Sequence, residues 1–350
     1  MSKNIIHLVG TGTIGEPLIG LLAHYQKELG LDEVTFHKHS ISDRPKVKAL
    51  VRRGARLAVD AEKMDAFKAA GMSPELTHEQ ALEQASVVID CSPKGIEMKE
   101  KIYKHYEHNT LGFIAQGSEF GFGKMYARGI NDEVITPDDK YIHVVSCNTH
   151  NLSCLLETLV LAEGSDNLIE ASFVCMRRAN DISQVKDFCP GPQVGTHNEG
   201  RFGTHHARDA YHLFQTKGLD LNLFSSAVKL NTQYMHSLWF DLRLKRATNL
   251  NAIKTKIKGN DRIAVTEKKD ANTVFSFGRD QGHFGRILNQ TVIPVSTLTM
   301  PNENRLVGFC FTPQDGNILL SSLAAALRFI HPRDWETRIQ VLKPFFFDEV

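Results

Sequence analysis

The thiol of Cys147 is the side chain whose surroundings in the sequence most clearly favour chemistry. It ends an apolar segment that begins at His143 and predicts a buried strand, and a helix over 152–161 begins just beyond it. The positive end of a helix dipole and its free backbone N–H groups lower the pKa of a thiol and offer donors to an oxyanion. The pattern therefore predicts a nucleophile, and the alternative is a cysteine that packs as a small apolar residue.

A nucleophilic thiol needs a group that accepts its proton, and the chain offers 16 histidines. His236 lies within the apolar segment Met235 to Phe240, which predicts a strand and thus a rigid support for a general base. The alternative is a core histidine whose hydrogen bonds are satisfied.

Two cationic clusters are candidates for binding an anionic substrate. Arg177 and Arg178 end one predicted strand, and His205, His206 and Arg208 follow a glycine-rich segment. Arginine binds phosphate in a fork, and strand ends are common places for sites. The alternative for each cluster is a solvated surface.

A glycine turn near the start of the chain predicts a dinucleotide site. Gly10, Gly12 and Gly15 form G-x-G-x-x-G, directly after the predicted strand 4–9 and directly before a helical pattern that ends at Gly30. In this context the first glycine makes the turn, the second lets a pyrophosphate approach the backbone, and the third lets helix and strand pack closely. The alternative is a glycine turn in an unrelated α/β fold.

The end of the second predicted strand, 33–36, bears on the choice of cofactor. NAD enzymes usually place a carboxylate there, whereas this chain continues His37, Lys38, His39, Ser40. Lys38 with Ser40 is suited to a 2′-phosphate, which favours NADP or the use of both cofactors. The alternative is that Lys38 is a solvated lysine.

The elements that hold these residues predict an α/β protein of two domains. Alternating strands and helices over 1–146 indicate a Rossmann-type, doubly wound parallel sheet. Residues 147–315 predict an α+β catalytic domain, and the helices over 316–350 are expected to join the first domain. In the second domain we expect a mainly antiparallel sheet with these strands: 170–176, 222–230, 235–244, 273–277, 291–299 and 305–311.

Composition excludes several classes of protein. The 350 residues are 42% hydrophobic and 23% charged, which argues against a disordered or fibrous chain. A net charge of +1 with interleaved signs gives no electrostatic surface for nucleic acid or an anionic membrane. The start of the sequence lacks the apolar run of a signal peptide, so we expect a cytoplasmic protein. Six cysteines without a C-x-x-C pair suit reduced thiols, and we expect no metal site.

Taken in order, these segments resemble the archaeal-type (type II) phosphorylating glyceraldehyde-3-phosphate dehydrogenases over nearly the whole chain. The Ser-Cys-Asn-Thr segment at 146–149, which follows a strand, is the most specific match. The supporting segments lie at 10–15, 90–94, 116–119, 177–179, 205–206, 235–236 and 278–280.

The resemblance implies NAD(P)-dependent oxidative phosphorylation of glyceraldehyde 3-phosphate to 1,3-bisphosphoglycerate, in glycolysis or gluconeogenesis. It assigns Cys147 as the nucleophile that forms a thiohemiacetal and then a thioester, with His236 as the catalytic histidine. A homotetramer is also implied. The cofactor residues are Gly10, Thr11, Gly12, Thr13, Ile14, Gly15, Lys38, Ser40, Pro93, Gln116, Gly117 and Asn317. The residues for substrate and inorganic phosphate are Ser146, Asn148, Thr149, Arg177, Arg178, His205 and His206.

The chain departs from the family at a few positions. His150 and Asn151 follow Cys147-Asn148-Thr149 where the family continues with threonine and glycine, and residues 195–200 replace a proline-rich segment. Tyr234 stands where the family often has a second histidine. A semialdehyde dehydrogenase or acyl-CoA reductase with the same cysteine chemistry therefore remains an alternative, and so does a non-catalytic, NADP-binding regulatory protein.

Overall fold

The computed structural model describes residues 3–182, 184–185, 188–313 and 315–350. These residues divide into two compact units, which we call unit 1 and unit 2. Unit 1 takes in the described residues of 1–128, 135–144 and 319–343, and unit 2 those of 129–134, 145–318 and 344–350.

Unit 1 is built on an eight-stranded sheet in which every pair of neighbours is parallel. Its strands are β1 Ile5–Val9, β2 Glu33–His37, β3 Arg56–Val59, β4 Leu76–Thr77, β5 Val87–Asp90, β6 Gly112–Gln116, β7 Lys124–Tyr126 and β8 Tyr141–Val144. The spatial order is β4-β3-β2-β1-β5-β6-β8-β7. The predicted Rossmann-type sheet is confirmed, and β3, β4 and β7 are strands that the sequence pattern missed.

Helices connect the parallel strands of unit 1, as parallel pairing requires. They are α1 Gly15–His24, α2 Arg44–Arg52, α3 Met64–Ala69, α4 His78–Gln84 and α5 Gly95–Lys101. Short 3-10 helices cover Ala61–Lys63 and Tyr103–Tyr106. In α1, Leu18, Leu21 and Leu22 are fully buried, which accounts for the apolar period of this segment.

Unit 2 contains a second sheet of eight strands, of mixed direction. The strands are β9 Leu168–Arg177, β10 Gln193–Val194, β11 Leu223–Lys229, β12 His236–Leu244, β13 Ile263–Thr266, β14 Thr291–Pro294, β15 Thr299–Asn302 and β16 Arg305–Thr312. Their order is β10-β11-β9-β12-β16-β14-β13, with β15 also paired to β16. The predicted α+β unit with mainly antiparallel pairing is confirmed, although β9 pairs with β11, and β13 with β14, in parallel.

The remaining helices complete the chain. They are α6 Cys147–Leu159, α7 His205–Gln215, α8 Leu250–Lys258, α9 Ala271–Gln281, α10 Gly316–Ile330 and α11 Trp335–Ile339. Short 3-10 helices cover Asp132–Val134, Leu161–Glu163, Gly200–Phe202, Val295–Thr297 and Gln340–Phe345. Among the described residues no helix combines the length and the apolar character needed to cross a membrane.

Two predicted strands differ from the structure, and the strand predicted at 291–299 is interrupted by the 3-10 helix Val295–Thr297. The other is wrong throughout. Residues 273–277 lie within α9, not in a strand. Their β-branched and aromatic residue types favoured a strand, but Ala271, Val274, Phe275 and Gly278 recur at helical spacing, and Val274 is fully buried in the apolar core of unit 2. Tertiary packing of this face therefore outweighed the local propensity.

The glycine turn between β1 and α1 depends on its missing side chains. Gly10 has a φ of +94°, and a Cβ at Gly15 would overlap the carbonyl group of Gly10. At Gly12, by contrast, a Cβ would meet nothing within 4 Å. Gly10 and Gly15 are thus required by the fold itself, whereas Gly12 leaves open space above the turn.

We predict that Gly15→Ala lowers the free energy of unfolding by roughly 1–3 kcal/mol, because the backbone must move to accept the methyl group. Gly12→Ala is the matched control and should leave stability nearly unchanged. Urea unfolding followed by circular dichroism measures both. Equal stability of the two variants would show that the close packing of this turn is not needed.

Candidate active site

Cys147 lies at a helix N-terminus, as the sequence pattern predicts, but α6 begins at Cys147 itself, five residues before the predicted start at 152. The helix is capped by Ser146, whose Oγ accepts a hydrogen bond from the Thr149 N–H at 3.4 Å and lies 2.9 Å from the Thr149 hydroxyl. The first backbone hydrogen bond of the helix runs from His150 to the carbonyl of Ser146, at 2.9 Å. Cys147 and Asn148 come before His150 in the chain, so the helix does not use their backbone N–H groups as donors.

The environment of the Cys147 thiol does not have the effect that the helix position alone predicts. Burial, and next to it the carboxylate of Asp315, raise the pKa of Cys147 to about 12, although Arg178 and Arg177 act in the opposite direction. The expected lowering of the thiol pKa is therefore not what this structure gives. The physical reason is that desolvation and a buried negative charge together outweigh two guanidinium groups.

Asp315 is a residue of this site that the sequence analysis did not identify. It is 4% exposed, its Oδ1 lies 3.3 Å from the guanidinium of Arg178, and its Oδ2 has no hydrogen-bond partner among the described residues. Burial raises the pKa of Asp315, whereas Arg178 and Arg286 oppose this rise. An aspartate just before a helix is common as a cap, so no sequence signal distinguished it.

Arg178 connects three parts of the site. Its side chain is only 2% exposed and also lies 3.0 Å from Asp181. Its backbone N–H donates to Nδ1 of His236 at 3.1 Å. The position of His236 at the start of β12 is thus fixed by the end of the neighbouring strand β9.

The hydrogen bond from Arg178 decides the protonation of His236. Because Nδ1 accepts it, a neutral ring carries its proton on Nε2. Burial, followed by the charges of Arg178 and Arg177, lowers the pKa of His236 well below its usual value. His236 is therefore a neutral Nε2–H donor at physiological pH, and the free lone pair expected of a general base is already used.

The predicted anion-binding residues fall into two groups. Arg177 is exposed, and its guanidinium has no hydrogen-bond or ion-pair partner among the described residues; its charge also lowers the pKa of His205, after burial. His206, in contrast, is 2% exposed, and its two ring nitrogens lie 3.3 Å from Nδ2 of Asn148 and 3.2 Å from Oγ1 of Thr204. Among the described residues, Arg177 and His205 therefore have side-chain nitrogens without a hydrogen-bond partner, whereas His206 is held within the protein.

A chain of buried polar side chains runs behind Cys147. Oδ1 of Asn148 accepts from Thr312 at 2.9 Å, and Thr312 accepts from Asn151 at 2.9 Å. Asn151 in turn accepts from Cys310 at 3.3 Å. Asn317 fastens the same turn, because its Nδ2 donates to the Cys147 carbonyl at 3.0 Å, while its Oδ1 has no partner among the described residues.

The residues that differ from the family pattern belong to this packed region. His150 and Asn151 are both fully buried, and Nδ1 of His150 lies 3.0 Å from the Ser146 carbonyl. Their polar atoms therefore contact the protein, and the change from threonine and glycine alters the core behind α6.

The predicted cofactor residues of unit 1 lie at the carboxyl ends of its central strands. Gly10 to Gly15 follow β1, Lys38 and Ser40 follow β2, Pro93 follows β5, and Gln116 with Gly117 closes β6. Since the chain leaves β1 in one direction for β2 and in the other for β5, this edge is the switch point where such sheets bind ligands.

The loop after β2 carries cations and hydroxyl groups. Nζ of Lys38 lies 3.5 Å from Oγ of Ser42, which lies 2.7 Å from Oγ of Ser40. Burial lowers the pKa of Lys38. A second lysine of the region, Lys46, is paired with Glu16 at 3.1 Å.

These features define an α/β protein with a Rossmann-type parallel sheet in one unit and, in the other, a cysteine at a helix N-terminus on a mixed-sheet scaffold. No protein-family model matches the sequence. The chain is 29% identical over 265 residues to a glyceraldehyde-3-phosphate dehydrogenase of Methanobacterium formicicum. The aligned region covers 75% of this chain and 73% of that protein. This chain is 25% identical over 302 residues to the enzyme of the same name from Sulfolobus acidocaldarius, covering 84% and 82%.

With the protein of this name from Pyrobaculum islandicum it shares 25% identity over 246 residues, 68% of this chain and 66% of that one. The chain thus spans about two thirds to four fifths of the length of these relatives. The resemblance to the archaeal glyceraldehyde-3-phosphate dehydrogenases is confirmed, and the chain is a distant relative of that group.

We predict that Asp315→Asn makes Cys147 react several times faster with iodoacetamide at pH 8, because removing the buried carboxylate lowers the pKa of the thiol. Asp220→Asn, at a side chain 80% exposed in the same unit, is the control and should change nothing. Mass spectrometry of the peptide that contains Cys147 measures the rate. An unchanged rate in Asp315→Asn would show that this carboxylate does not govern the thiol.

Proposed function

We propose that this protein is an NAD(P)-dependent oxidoreductase that converts glyceraldehyde 3-phosphate and inorganic phosphate to 1,3-bisphosphoglycerate in glycolysis or gluconeogenesis. The observation that carries the proposal is the Cys147 thiol at the N-terminus of α6, on a chain similar to archaeal enzymes of this name. We also propose a cytoplasmic homotetramer.

Each covalent step can be assigned to groups of unit 2. The Cys147 thiol loses its proton to water, and the thiolate attacks the aldehyde carbon. The carbonyl oxygen becomes an oxyanion that takes a proton from water, which gives a thiohemiacetal. Loss of hydride from that carbon, together with loss of the hydroxyl proton to water, leaves a thioester. An oxygen of inorganic phosphate then attacks the thioester carbon and releases the thiolate. The nicotinamide, when bound, supplies the acceptor of the hydride.

The donors for the oxyanion are backbone and imidazole N–H groups. The N–H groups of Cys147 and Asn148 are unused by the helix, and Nε2–H of His236 is held in one tautomer by Arg178. Such fixed donors stabilise developing charge without reorganisation. We therefore propose that His236 donates a hydrogen bond to the oxyanion, in place of the general-base role that the sequence suggested.

The phosphate group of the substrate is proposed to bind at Arg177 and His205. The side-chain nitrogens of both residues have no hydrogen-bond partner among the described residues, and arginine binds phosphate oxygens in a fork. Arg178 and His206 are proposed to position other residues of the site and not to contact the phosphate. Arg178 contacts Asp315 and His236, and His206 contacts Asn148. Ser146 and Thr149 fix the turn that carries the thiol.

For the cofactor, we propose that the glycine turn binds the pyrophosphate and that Lys38 with Ser40 favours NADP over NAD. The open space at Gly12 and the position at the carboxyl ends of β1, β5 and β6 support this assignment. Thr11, Thr13, Ile14, Pro93, Gln116 and Gly117 are the remaining proposed contacts in unit 1. Asn317 remains a proposed contact because its buried Oδ1 accepts no hydrogen bond from the described residues.

Two alternatives stay open. A semialdehyde dehydrogenase or acyl-CoA reductase would use the same thiol, and turnover with phosphorylated and unphosphorylated aldehydes, with and without inorganic phosphate, separates these activities. A non-catalytic, NADP-binding protein is favoured by one observation, the raised pKa of Cys147. That alternative predicts NADP binding with no turnover of any aldehyde.

We predict that Cys147→Ser abolishes oxidation of glyceraldehyde 3-phosphate and leaves NADP binding nearly intact, because a hydroxyl is too weak an acid to supply the nucleophile. Steady-state formation of NADPH and a fluorescence titration with NADPH measure the two properties. Cys154→Ser, in the buried interior of α6, is the control and should retain turnover. Substantial turnover in Cys147→Ser would contradict the proposal.

Lys38→Glu should weaken NADP binding about tenfold or more relative to NAD, because a carboxylate repels the 2′-phosphate and the lost charged contact is worth on the order of 1–3 kcal/mol. Lys27→Glu places the same charge change at an exposed position of unit 1 and should affect both cofactors little. Dissociation constants for the two cofactors decide the question. An equal change for NAD and NADP would place Lys38 outside the site.

For His236, the informative variant is His236→Asn. Asn keeps an acceptor where Nδ1 lies and removes Nε2–H, so kcat should fall by roughly 100- to 1,000-fold while the fold is kept. Because the pKa of His236 is lowered, the loss should be the same from pH 6 to pH 8. A loss confined to one side of neutrality would instead support the general-base role.

A further inference from the structure

Three potential metal ligands, none of them assigned a role above, converge at the ends of β2 and β3 in unit 1. Nε2 of His37 lies 2.8 Å from Oδ1 of Asp60, and Nδ1 of His39 lies 2.8 Å from Oδ2 of the same carboxylate. One ligand atom from each residue fits within 4.8 Å of the others. Two imidazoles and one carboxylate thus meet at a single point.

Strand geometry explains this convergence. β2 and β3 are parallel neighbours in which His37 pairs with Ala58, so two residues further on His39 comes level with Asp60. Residues i and i+2 of an extended chain face the same side, which brings His37 and His39 to one face. Lys38 between them points the other way, toward Ser42, so this cluster and the proposed 2′-phosphate contact are separate.

The cluster rests on a second layer of buried histidines. The ring of His78, from the start of α4, stacks on His37 with a centroid distance of 4.0 Å. Nδ1 of His78 lies 3.3 Å from Nε2 of His7, whose Nδ1 lies 2.8 Å from the hydroxyl of Thr35. His78 is 6% exposed, and its Nε2 has no hydrogen-bond partner among the described residues. The proposed reaction assigns no role to these histidines.

A cation already lies at the cluster. Nζ of Lys63 is 2.7 Å from Oδ2 of Asp60 and 3.0 Å from Nδ1 of His39. The ammonium group shows that the cluster attracts positive charge. Lys63 is on a short 3-10 helix and its side chain is 29% exposed, so it can swing into solvent and leave the three ligands free.

We propose that His37, His39 and Asp60 bind one divalent transition ion of the Zn²⁺ type, which displaces the ammonium group of Lys63. Imidazole and carboxylate suit such ions, whereas Mg²⁺ and Ca²⁺ prefer oxygen ligands throughout. Metal–ligand bonds of about 2.0–2.1 Å in a tetrahedron require ligand atoms about 3.3 Å apart, so the present spacing has to open by about half an ångström. Water completes the coordination, and the stacked His78 supports His37 from behind.

The test uses the full-length chain after removal of metals by EDTA and desalting. Calorimetric titration with Zn²⁺ should show one ion bound per chain, and titration with Mg²⁺ should show none. Co²⁺ should give the visible absorption of nitrogen and oxygen ligation without the near-ultraviolet band of a cobalt–thiolate bond. No binding of Zn²⁺, or a cobalt–thiolate band that disappears in Cys147→Ser, would overturn the proposal.

Variants locate the ion. His39→Gln changes a side chain that is 78% exposed, so the fold should persist while Zn²⁺ affinity falls by more than about 100-fold, and Asp60→Asn should do the same. His108→Gln, at an exposed histidine of the same unit, is the control and should bind as the parent does. Equal affinity in the parent and in both ligand variants, or an equal loss in His108→Gln, would overturn the assignment.

Lys63→Met separates the metal site from a simple ion pair. Methionine keeps the apolar stem and removes the competing charge, so Zn²⁺ affinity should rise about threefold or more. Unchanged or weaker binding would show that Lys63 is not displaced. None of these measurements involves turnover, so their outcome is independent of the proposed dehydrogenase activity.

Discussion

The buried ion pair between Arg178 and Asp315 governs the rest of the candidate active site. Two charges removed from water are stable only when each compensates the other, and here the guanidinium is 2% exposed and the aspartate 4%. The pair ties the end of β9 to the residue just before α10. The same arginine presents its backbone N–H to His236. Loss of either charge would therefore disturb the thiol, the histidine and two elements of the fold together.

That dependence has a direct electrostatic consequence for the thiol. Asp315 opposes ionisation of Cys147, and the two arginines favour it, so the balance changes with whatever binds beside them. Burial and the carboxylate of Asp315 raise the pKa of Cys147, so the protonated thiol is the favoured form at neutral pH. A protonated thiol is a weak nucleophile, so a ligand that changes the charge beside Cys147 would also change the reactivity of this thiol.

Much of this arrangement was predictable from the sequence, and the reasons differ between residues. The glycine turn and the position of Cys147 at a helix N-terminus follow from local patterns, because each depends on residues adjacent in the chain. The parallel sheet also followed from alternating elements. The helix α9 did not, since its β-branched and aromatic residues take their conformation from the packing of Val274.

Asp315 and the tautomer of His236 could not be predicted, because both depend on contacts between residues far apart in the sequence. Arg178 and Asp315 are 137 positions apart, and Arg178 and His236 are 58 apart. The sequence showed two arginines and treated them as equivalent anion ligands. In the structure only Arg177 is exposed, because successive residues of a strand face opposite sides.

The same alternation acts at the end of β2, where it divides one run of polar residues between two environments. Lys38 faces the hydroxyl groups of the following loop, while His37 and His39 face the carboxylate of Asp60. Considered as a sequence alone, His-Lys-His-Ser predicts a single basic segment. As a strand end it places a single lysine on one side and two imidazole rings on the other. The surroundings of each side are then set by the neighbouring strand and loop, so that residues adjacent in sequence contact different partners.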